Sequence, residues 1–328
     1  MFSGFNKTVI GGSHTDSGKI CQDYSEYYVC ENYSAAVVAD GHGSRKHFRS
    51  DIGSQLAVKV TLSTLSEFLS DMDEFEKSFR DDPSRVIKKI QKHIISYWNK
   101  AIAGHFVGVP ITDKEKEPFT DEQFRAIKHE SMYGTTLIAC VMCKNFSFGI
   151  QIGDGSLVTV NNYAVAQMPI ADDESCPANL TASMCNTNAI DLFNHFYTFD
   201  EIMAVFVSTD GLFTSFGSRE DFQDYHTILV GLLDDRDAFI NAVSKNLVKR
   251  TNHGTRDDIS LAGVYSQNLI AANQEAIMSQ IELNRKMTEI RKAEHKAKIE
   301  KQKAKAAMMR NRSDSAPEPT QKYEMESI

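Results

Sequence analysis

The feature that most constrains this chain of 328 residues is a set of short apolar runs that end beside an aspartate and a glycine. Three such runs cover residues 33–39, 146–152 and 202–208. Apolar runs of this length between turn residues predict buried strands. A strand holds the side chain at its end rigidly, and glycine lets the backbone turn sharply there. The sequence therefore predicts a β-rich domain that presents several carboxylates at strand ends.

Other segments predict two long helices between two groups of strands. Apolar residues three to four positions apart predict helices over residues 52–65 and 84–102, with an acidic connection at 71–83. Further predicted segments are strands at 21–30, 134–143, 157–160 and 259–265, a helix at 237–249 and a long surface loop at 169–195. Because strands and helices do not alternate regularly, the pattern favours an α+β domain with antiparallel sheets over a doubly wound fold.

The C-terminal segment differs from the rest of the chain in charge. Residues 285–310 contain ten Lys or Arg against three Glu, whereas the whole chain has a formal net charge of −8. The composition of residues 266–310 is that of a charged helix, and that of residues 311–328, with two Pro, is typical of disorder. We therefore expect a domain over residues 1–265, a helical extension and a disordered tail.

Composition also limits the classes of function. No segment reaches the roughly 18–20 apolar residues that cross a bilayer, and the first residues lack the pattern of a signal peptide. We therefore expect a cytoplasmic protein without a transmembrane segment. An acidic chain disfavours nucleic-acid binding, and the basic tail has no interleaved aromatic residues that would stack on bases. The tail is expected to be a solvated helix, with contact to an acidic partner as the alternative.

Cys140 and Cys143 form a C-x-x-C pair, which raises the question of a zinc site. Structural zinc sites use four ligands, and no second close pair of Cys or His accompanies these two. Because they stand in or beside the apolar run 137–142, we expect them to be buried thiols of a strand.

The aspartates that follow the predicted strands suggest a metal site. Asp40, Asp154 and Asp210 each precede a glycine, Asp257 precedes another aspartate, and Asp23 comes earlier in the chain. Carboxylates that converge repel one another unless cations lie among them, and Mg²⁺ and Mn²⁺ prefer oxygen ligands. Asp-Gly is also a common turn, so each pair alone is a weak sign of metal binding.

Five motifs resemble, in the same order, those of the protein phosphatase 2C (PPM) family. They are Val-Val-Ala-Asp-Gly-His-Gly at 37–43, Tyr-Gly-Thr-Thr-Leu at 133–137, Ile-Gly-Asp-Gly-Ser at 152–156, Val-Ser-Thr-Asp-Gly-Leu at 207–212 and Thr-Arg-Asp-Asp-Ile-Ser-Leu at 255–261. They span the predicted globular part and leave the tail uncovered. The resemblance implies a central antiparallel β-sandwich flanked by helix pairs. It also implies metal-dependent hydrolysis of phosphoserine and phosphothreonine in proteins.

The resemblance implies a metal-binding role for each matching position. Asp40 would bridge two Mn²⁺ or Mg²⁺ ions, and the carbonyl of Gly41 would bind one of them. Asp210 and Asp257 would complete the shell of the other ion. Asp154 matches a position that in bacterial members often helps to hold a third, weaker metal. A water that bridges two such ions would attack phosphorus directly.

His42 matches the residue proposed in the family as the general acid for the leaving alkoxide. Imidazole can donate a proton near neutral pH, and His42 follows the predicted metal-bridging aspartate closely. The alternative is a turn histidine that only hydrogen-bonds a carboxylate.

The opening motif departs from the commonest family pattern. Many members have Glu-Asp here, preceded by an Arg that binds the phosphate, whereas this chain has Gln22-Asp23, with Gly18 near the Arg position. A branch of bacterial members has a similar Ser-His and Gln-Asp opening. Asp23 is expected to bind metal or to support a ligand. Gln22, His14 or Lys19 would contribute to phosphate binding in place of the Arg.

Two interpretations of function follow. The first is an active phosphatase, and the second is a pseudophosphatase that serves as a binding module. The altered Gln22 motivates the second, whereas the retention of Asp40, Asp210 and Asp257 favours the first. The acidic loop at 170–185 matches a variable flap of the family. It would either select substrates or be a solvated loop.

Overall fold

The computed structural model describes residues 1–170 and 181–313, with side chains as far as residue 303. Met1–Ile281 form one compact unit, and the chain from Glu282 onward forms a second. Most of the predicted flap at 170–185 and of the predicted disordered tail at 311–328 lies outside the described residues.

The described residues contain ten strands in two five-stranded sheets. In chain order they are β1 (Phe2–Val9), β2 (Asp23–Val29), β3 (Tyr33–Asp40), β4 (Leu137–Cys143), β5 (Ser147–Ile152), β6 (Ser156–Asn161), β7 (Ala166–Gln167), β8 (Asn194–Thr198), β9 (Ile202–Ser208) and β10 (Ile259–Ser266). One sheet has the order β1-β10-β9-β6-β7 and the other β2-β3-β4-β5-β8. Every pairing is antiparallel. The predicted antiparallel α+β fold is therefore confirmed.

Helices surround the sheets and continue beyond them. In chain order they are α1 (Gly12–Ser17), α2 (Ser50–Phe68), α3 (Met72–Asp81), α4 (Pro83–Gly108), α5 (Asp113–Lys116), α6 (Asp121–Ala126), α7 (His129–Met132), α8 (Asp210–Phe213), α9 (Arg219–Leu232), α10 (Arg236–His253), α11 (Gln267–Ala272) and α12 (Gln274–Ser313). Within the described ranges, every helix is too short or too polar to cross a bilayer.

The inner strands β3, β4 and β9 are apolar on both faces, because each sheet is covered by the other sheet on one side and by helices on the other. Ala36, Val38, Cys140 and Ala262 belong to the core between the sheets. The alternate residues of β3 face outward, where they join a second core that helices α2, α3 and α4 complete. A third core lies between the other sheet and helices α9 and α10. A strand buried on both faces is a continuous apolar run, which explains the pattern at residues 33–39.

Helices α2 and α4 pack closely beneath the sheet, around Gly53. The fully buried Trp98 donates its Nε1–H to the carbonyl of Gly53 at 3.0 Å. A Cβ atom on Gly53 would lie 1.9 Å from the carbonyl oxygen of Tyr133. Only glycine therefore fits at this position of α2.

Several elements differ from the sequence-based expectations. The expected acidic connection at 71–83 is largely helix α3, which begins where the Asp71 carboxylate accepts the backbone N–H of Glu74 at 3.1 Å. Its charged residues surround two buried rings, Phe75 and Phe79. The expected loop at 169–195 ends in strand β8, an edge strand with three exposed residues among its five. A half-exposed edge strand carries a weak apolar pattern, whereas α3 shows helical spacing, with Phe75 and Phe79 four positions apart behind the capping Asp71.

We predict that Gly53→Ala lowers the free energy of unfolding by about 2–3 kcal/mol, because the new methyl group would force α2 away from Tyr133. Gly104→Ala in α4 is the matched control, since a Cβ atom there meets nothing within 4 Å. The control should gain about 0.5–1 kcal/mol from the better helix former. Chemical denaturation measures both changes, and equal effects of the two substitutions would contradict the packing argument.

Candidate metal centre

Strands of both sheets end at a cavity of about 200 Å³. Five aspartates from four segments line it. Asp40 ends β3, Asp154 lies in the turn between β5 and β6, Asp210 begins α8 two residues after the end of β9, and Asp257 and Asp258 directly precede β10. The fold thus brings together carboxylates that lie more than 200 positions apart in the chain. Among the described residues that line the cavity, none is Lys or Arg.

Asp40 is held by backbone contacts with the Gly-Thr-Thr segment before β4. Its N–H donates to Oγ1 of Thr136 at 3.0 Å. Its carbonyl accepts the N–H of Thr136 at 2.9 Å and the hydroxyl of Thr135 at 2.8 Å. The following Gly41 is confined, because a Cβ atom there would lie 2.7 Å from the carbonyl oxygens of Gln22 and Ser50. The backbone around the central carboxylate is therefore fixed on both sides.

Crowding of the carboxylates raises their pKa values. Burial, followed by the charges of Asp23, Asp210, Asp257 and Asp154, holds the pKa of Asp40 well above its usual range.

Asp210 shows the same effect at the cavity wall. Burial and the charges of Asp154 and Asp257 raise its pKa to about 6. Its Oδ1 atom is buried and has no hydrogen-bond partner among the described residues. An unpaired buried carboxylate oxygen is costly unless a cation or donor approaches it.

The donors around the cavity fit a hard divalent cation. Mg²⁺ and Mn²⁺ take oxygen ligands, and the cavity offers the carboxylates of Asp40, Asp154, Asp210 and Asp257 together with the backbone of Gly41. Within the described residues, no three His, Cys, Asp or Glu side chains are already spaced as a coordination shell. The fit therefore rests on the donor chemistry, the unpaired oxygen of Asp210 and the raised pKa values.

Asp23 lies behind the cavity rather than in its lining. It stands opposite Asp40 in the β2–β3 register and is buried. Its Oδ2 accepts the hydroxyl of Thr209 at 2.8 Å, and that hydroxyl oxygen accepts the N–H of Ser260 at 2.9 Å. Burial raises its pKa, against the opposing effect of the Thr209 hydrogen bond. Asp23 thus supports the strand end that carries Asp210.

His42 lines the cavity, and its backbone N–H donates to the carbonyl of Gly134 at 3.1 Å. Its ring lies 4.9 Å from that of His47 between centroids. Burial, helped by the nearby charges of His47 and Lys46, lowers the pKa of His42 to about 4. The turn-histidine interpretation requires a hydrogen bond from the ring of His42 to a carboxylate. In the described part of the chain the ring makes no such bond.

The three candidates for phosphate binding differ in position. His14 and Gln22 line the cavity, whereas Lys19 is exposed outside the lining. The Gln22 side chain donates to Oγ of Ser50 at 2.5 Å and to the carbonyl of His42 at 3.3 Å. His14 places its Nδ1 3.0 Å from both carboxylate oxygens of Asp258.

Sequence reasoning missed three polar residues of the lining. Asp258 is almost fully buried and contacts His14. Thr136 binds the backbone of Asp40, and Thr181 donates its hydroxyl to Oδ2 of Asp154 at 2.7 Å. The signal for Thr136 was its place in a matched motif, and that for Asp258 was the second carboxylate beside Asp257. Thr181 stands in an irregular stretch that offers no signal.

Comparison of the sequence with protein families finds a match to "Protein phosphatase 2C" over residues 10–250. The chain belongs to the protein phosphatase 2C family. The matched span includes Asp40, Asp154 and Asp210 and ends before Asp257. Comparison with curated proteins finds no match.

Solved structures of bacterial phosphatases have a similar fold. The S. agalactiae serine/threonine phosphatase is 17% identical, with 81% of this chain and 100% of that chain covered and a TM-score of 0.50. A bacterial serine phosphatase is 11% identical, with 81% and 98% covered and a TM-score of 0.50. At such identities the likeness concerns the fold alone.

We predict that Asp210→Asn stabilises the metal-free protein at neutral pH by about 1–2 kcal/mol, because it removes one of the repelling charges. The raised pKa of Asp210 means that the folded state binds a proton more tightly than the unfolded state does. The wild type therefore loses stability as pH rises towards about 6. The advantage of the variant should shrink below that pH.

Thermal or chemical unfolding in EDTA and in Mn²⁺ measures this effect. If Asp210 is a ligand, added Mn²⁺ should stabilise the wild type and stabilise Asp210→Asn much less, because an ion that binds the folded state stabilises it in proportion to its affinity. Asp200→Asn, which changes an exposed carboxylate between β8 and β9, should behave as the wild type does. A variant that gains as much from Mn²⁺ as the wild type would contradict a role for Asp210 at the metal.

Proposed function

We propose that this protein phosphatase 2C family member hydrolyses phosphoserine and phosphothreonine in protein substrates with the help of Mn²⁺ or Mg²⁺. The observation that carries the proposal is the convergence of Asp40, Asp154, Asp210 and Asp257 on one cavity. A buried cluster of repelling carboxylates destabilises a fold, so its presence at a strand-end cavity is typical of a functional site.

The metal ligands are assigned by position around this cavity. Asp40 and the carbonyl of Gly41 would hold one ion, and Asp40, Asp210 and Asp257 the other. Asp154 would help to hold a third. When bound, such ions stabilise the charge of a phosphoryl group and make an attacking water more acidic. The contacts of Thr135 and Thr136 with the backbone of Asp40 would hold this residue in place at the ions.

We assign to His42 the transfer of a proton to the leaving serine or threonine oxygen. Its position in the cavity lining supports the assignment. Burial alone favours the neutral ring, and a phosphate dianion beside it would favour the protonated form. A bound phosphate would therefore favour the protonated form of His42 that can donate a proton to the leaving oxygen.

We predict that the purified protein hydrolyses a phosphothreonine peptide in Mn²⁺ or Mg²⁺ and not in EDTA. Asp40→Asn and Asp210→Asn should each lower kcat/KM by about a hundredfold or more, because each removes charge that holds the ions. Asp200→Asn is the matched control and should retain the wild-type rate. A folded wild type that is inactive with every metal would instead favour the binding-module interpretation, which the altered Gln22 motivates.

We further propose that the catalytic domain ends after Ile281 rather than at residue 265. Ile270, Ile277 and Ile281 are buried and belong to the core beside helices α9 and α10. The residues from Glu282 to Lys303 are mostly exposed, which supports a solvated basic helix. We place the protein in the cytoplasm and assign it no nucleic-acid partner, while an acidic partner of the basic helix remains the alternative.

We predict that deletion of residues 284–328 leaves turnover of the peptide within about twofold, because every buried contact of the core is kept. Deletion of residues 266–328 should lower the free energy of unfolding by more than about 3 kcal/mol, since a fully buried Ile contributes roughly 1.5–3 kcal/mol. Activity assays and chemical denaturation of both truncations test the boundary. A stable, active 1–265 fragment would show that the domain ends earlier.

A further inference from the structure

We propose that His14, positioned by Asp258, binds the phosphate of the substrate through its Nε2 atom, an inference that rests on the proposed phosphatase function. Phosphate binding needs hydrogen-bond donors and positive charge. The described lining of the cavity supplies neither Lys nor Arg. Of the three candidates, Lys19 lies outside the lining and the amide nitrogen of Gln22 is already bonded to Ser50 and His42.

The Asp258 carboxylate fixes the ring of His14. Its two oxygens each lie 3.0 Å from Nδ1 of His14. They also accept the backbone N–H of Gly11 at 2.6 Å and of Gln22 at 2.7 Å. Because an ionised carboxylate only accepts hydrogen bonds, Nδ1 must carry the proton of this contact. Nε2 is the ring nitrogen that remains for the cavity.

The segment around His14 is docked by bonds that do not involve the imidazole. The N–H and hydroxyl of Ser13 donate to the carbonyl of Arg256 at 2.9 and 2.7 Å. The N–H of Gly12 donates to Oγ1 of Thr251 at 3.0 Å, and that hydroxyl donates to the carbonyl of Asp257 at 2.7 Å. These bonds attach the segment without the imidazole. The imidazole is therefore available to bind a ligand in the cavity.

The charges around the two imidazoles of the lining differ. His42 lies near His47 and Lys46, which disfavour a positive charge on its ring. His14 lies against the carboxylate of Asp258. A phosphate at Nε2 would place the ring of His14 between two anionic groups. With a proton on each ring nitrogen, Nδ1–H donates to Asp258 and Nε2–H donates a charge-assisted hydrogen bond to a phosphate oxygen.

His14→Asn separates phosphate binding from a structural role. The amide nitrogen of Asn can replace Nδ1 as the donor to Asp258, while nothing replaces Nε2. We expect KM for a phosphothreonine peptide and the inhibition constant of inorganic phosphate to rise about tenfold, the loss of one hydrogen bond to a charged group. kcat should change by less than about threefold, because ground state and transition state lose the same contact.

Ser13→Ala is the matched control, since it removes one docking bond of the same segment and leaves His14 and Asp258 unchanged. Its KM and inhibition constant should equal those of the wild type. The proposal is overturned if His14→Asn retains wild-type values of both constants, or if Ser13→Ala raises them as much as His14→Asn does.

The positioning role of Asp258 is tested in two backgrounds. Asp258→Asn should raise KM in the wild type and leave KM unchanged when His14 is already Asn, because the two residues act as one unit. An equal rise in both backgrounds would show that Asp258 does not act through His14.

Calorimetric titration of the Mn²⁺-loaded protein with inorganic phosphate separates this inference from the proposed function. If the wild type binds phosphate and His14→Asn weakens binding about tenfold, the inference holds even where no peptide is hydrolysed. If the wild type hydrolyses the peptide and His14→Asn binds phosphate as the wild type does, the inference fails and the function stands. A wild type that binds no phosphate overturns the inference.

Discussion

The central constraint on this structure is the mutual repulsion of several carboxylates that the fold brings close together. The β2–β3 register places Asp23 opposite Asp40, so two acidic side chains lie side by side at one end of this strand pair. Asp210 and Asp257 then reach the same cavity from the other sheet. Each of these groups has a raised pKa, and burial is the largest cause for all four. The folded state therefore contains a cluster of carboxylates that repel one another, and bound cations would reduce this repulsion.

The cluster can be held because the strands that carry it belong to two closely packed sheets. The core between the sheets consists mainly of Ala, Val, Ile, Cys and Met at the crossing strands, so β3 and β10 pack closely. The large aromatic rings, such as Trp98 and Phe206, lie on the outer faces beneath the helices. A sandwich packed in this way does not yield when charges at its edge repel one another.

Features that depend on neighbouring residues could be predicted from the sequence, whereas features that depend on distant residues could not. Fully buried strands such as β3 and β9 are continuous apolar runs, and the aspartates at their ends are visible beside glycine. The edge strand β8 is half-exposed, so its local pattern is weak. Helix α3 does carry local signals, the Asp71 cap and the spacing of Phe75 and Phe79, but its many charged residues resemble those of a connection. The contacts of Asp258 with Gly11 and Gln22 join residues more than 230 positions apart. No local pattern contains that information, which is why Lys19 could not be separated from His14 by sequence.

The unusual opening of the chain and its closing motif are parts of one arrangement. The buried Asp258 contacts the ring of His14 and also anchors the backbone on both sides of α1. Arg256, one of two non-glycine residues with positive φ in the described chain, shapes the loop that brings Asp257 and Asp258 together. The carbonyl of Arg256 in turn accepts the hydroxyl of Ser13. The opening segment and the loop that carries Asp257 and Asp258 are therefore joined by direct hydrogen bonds.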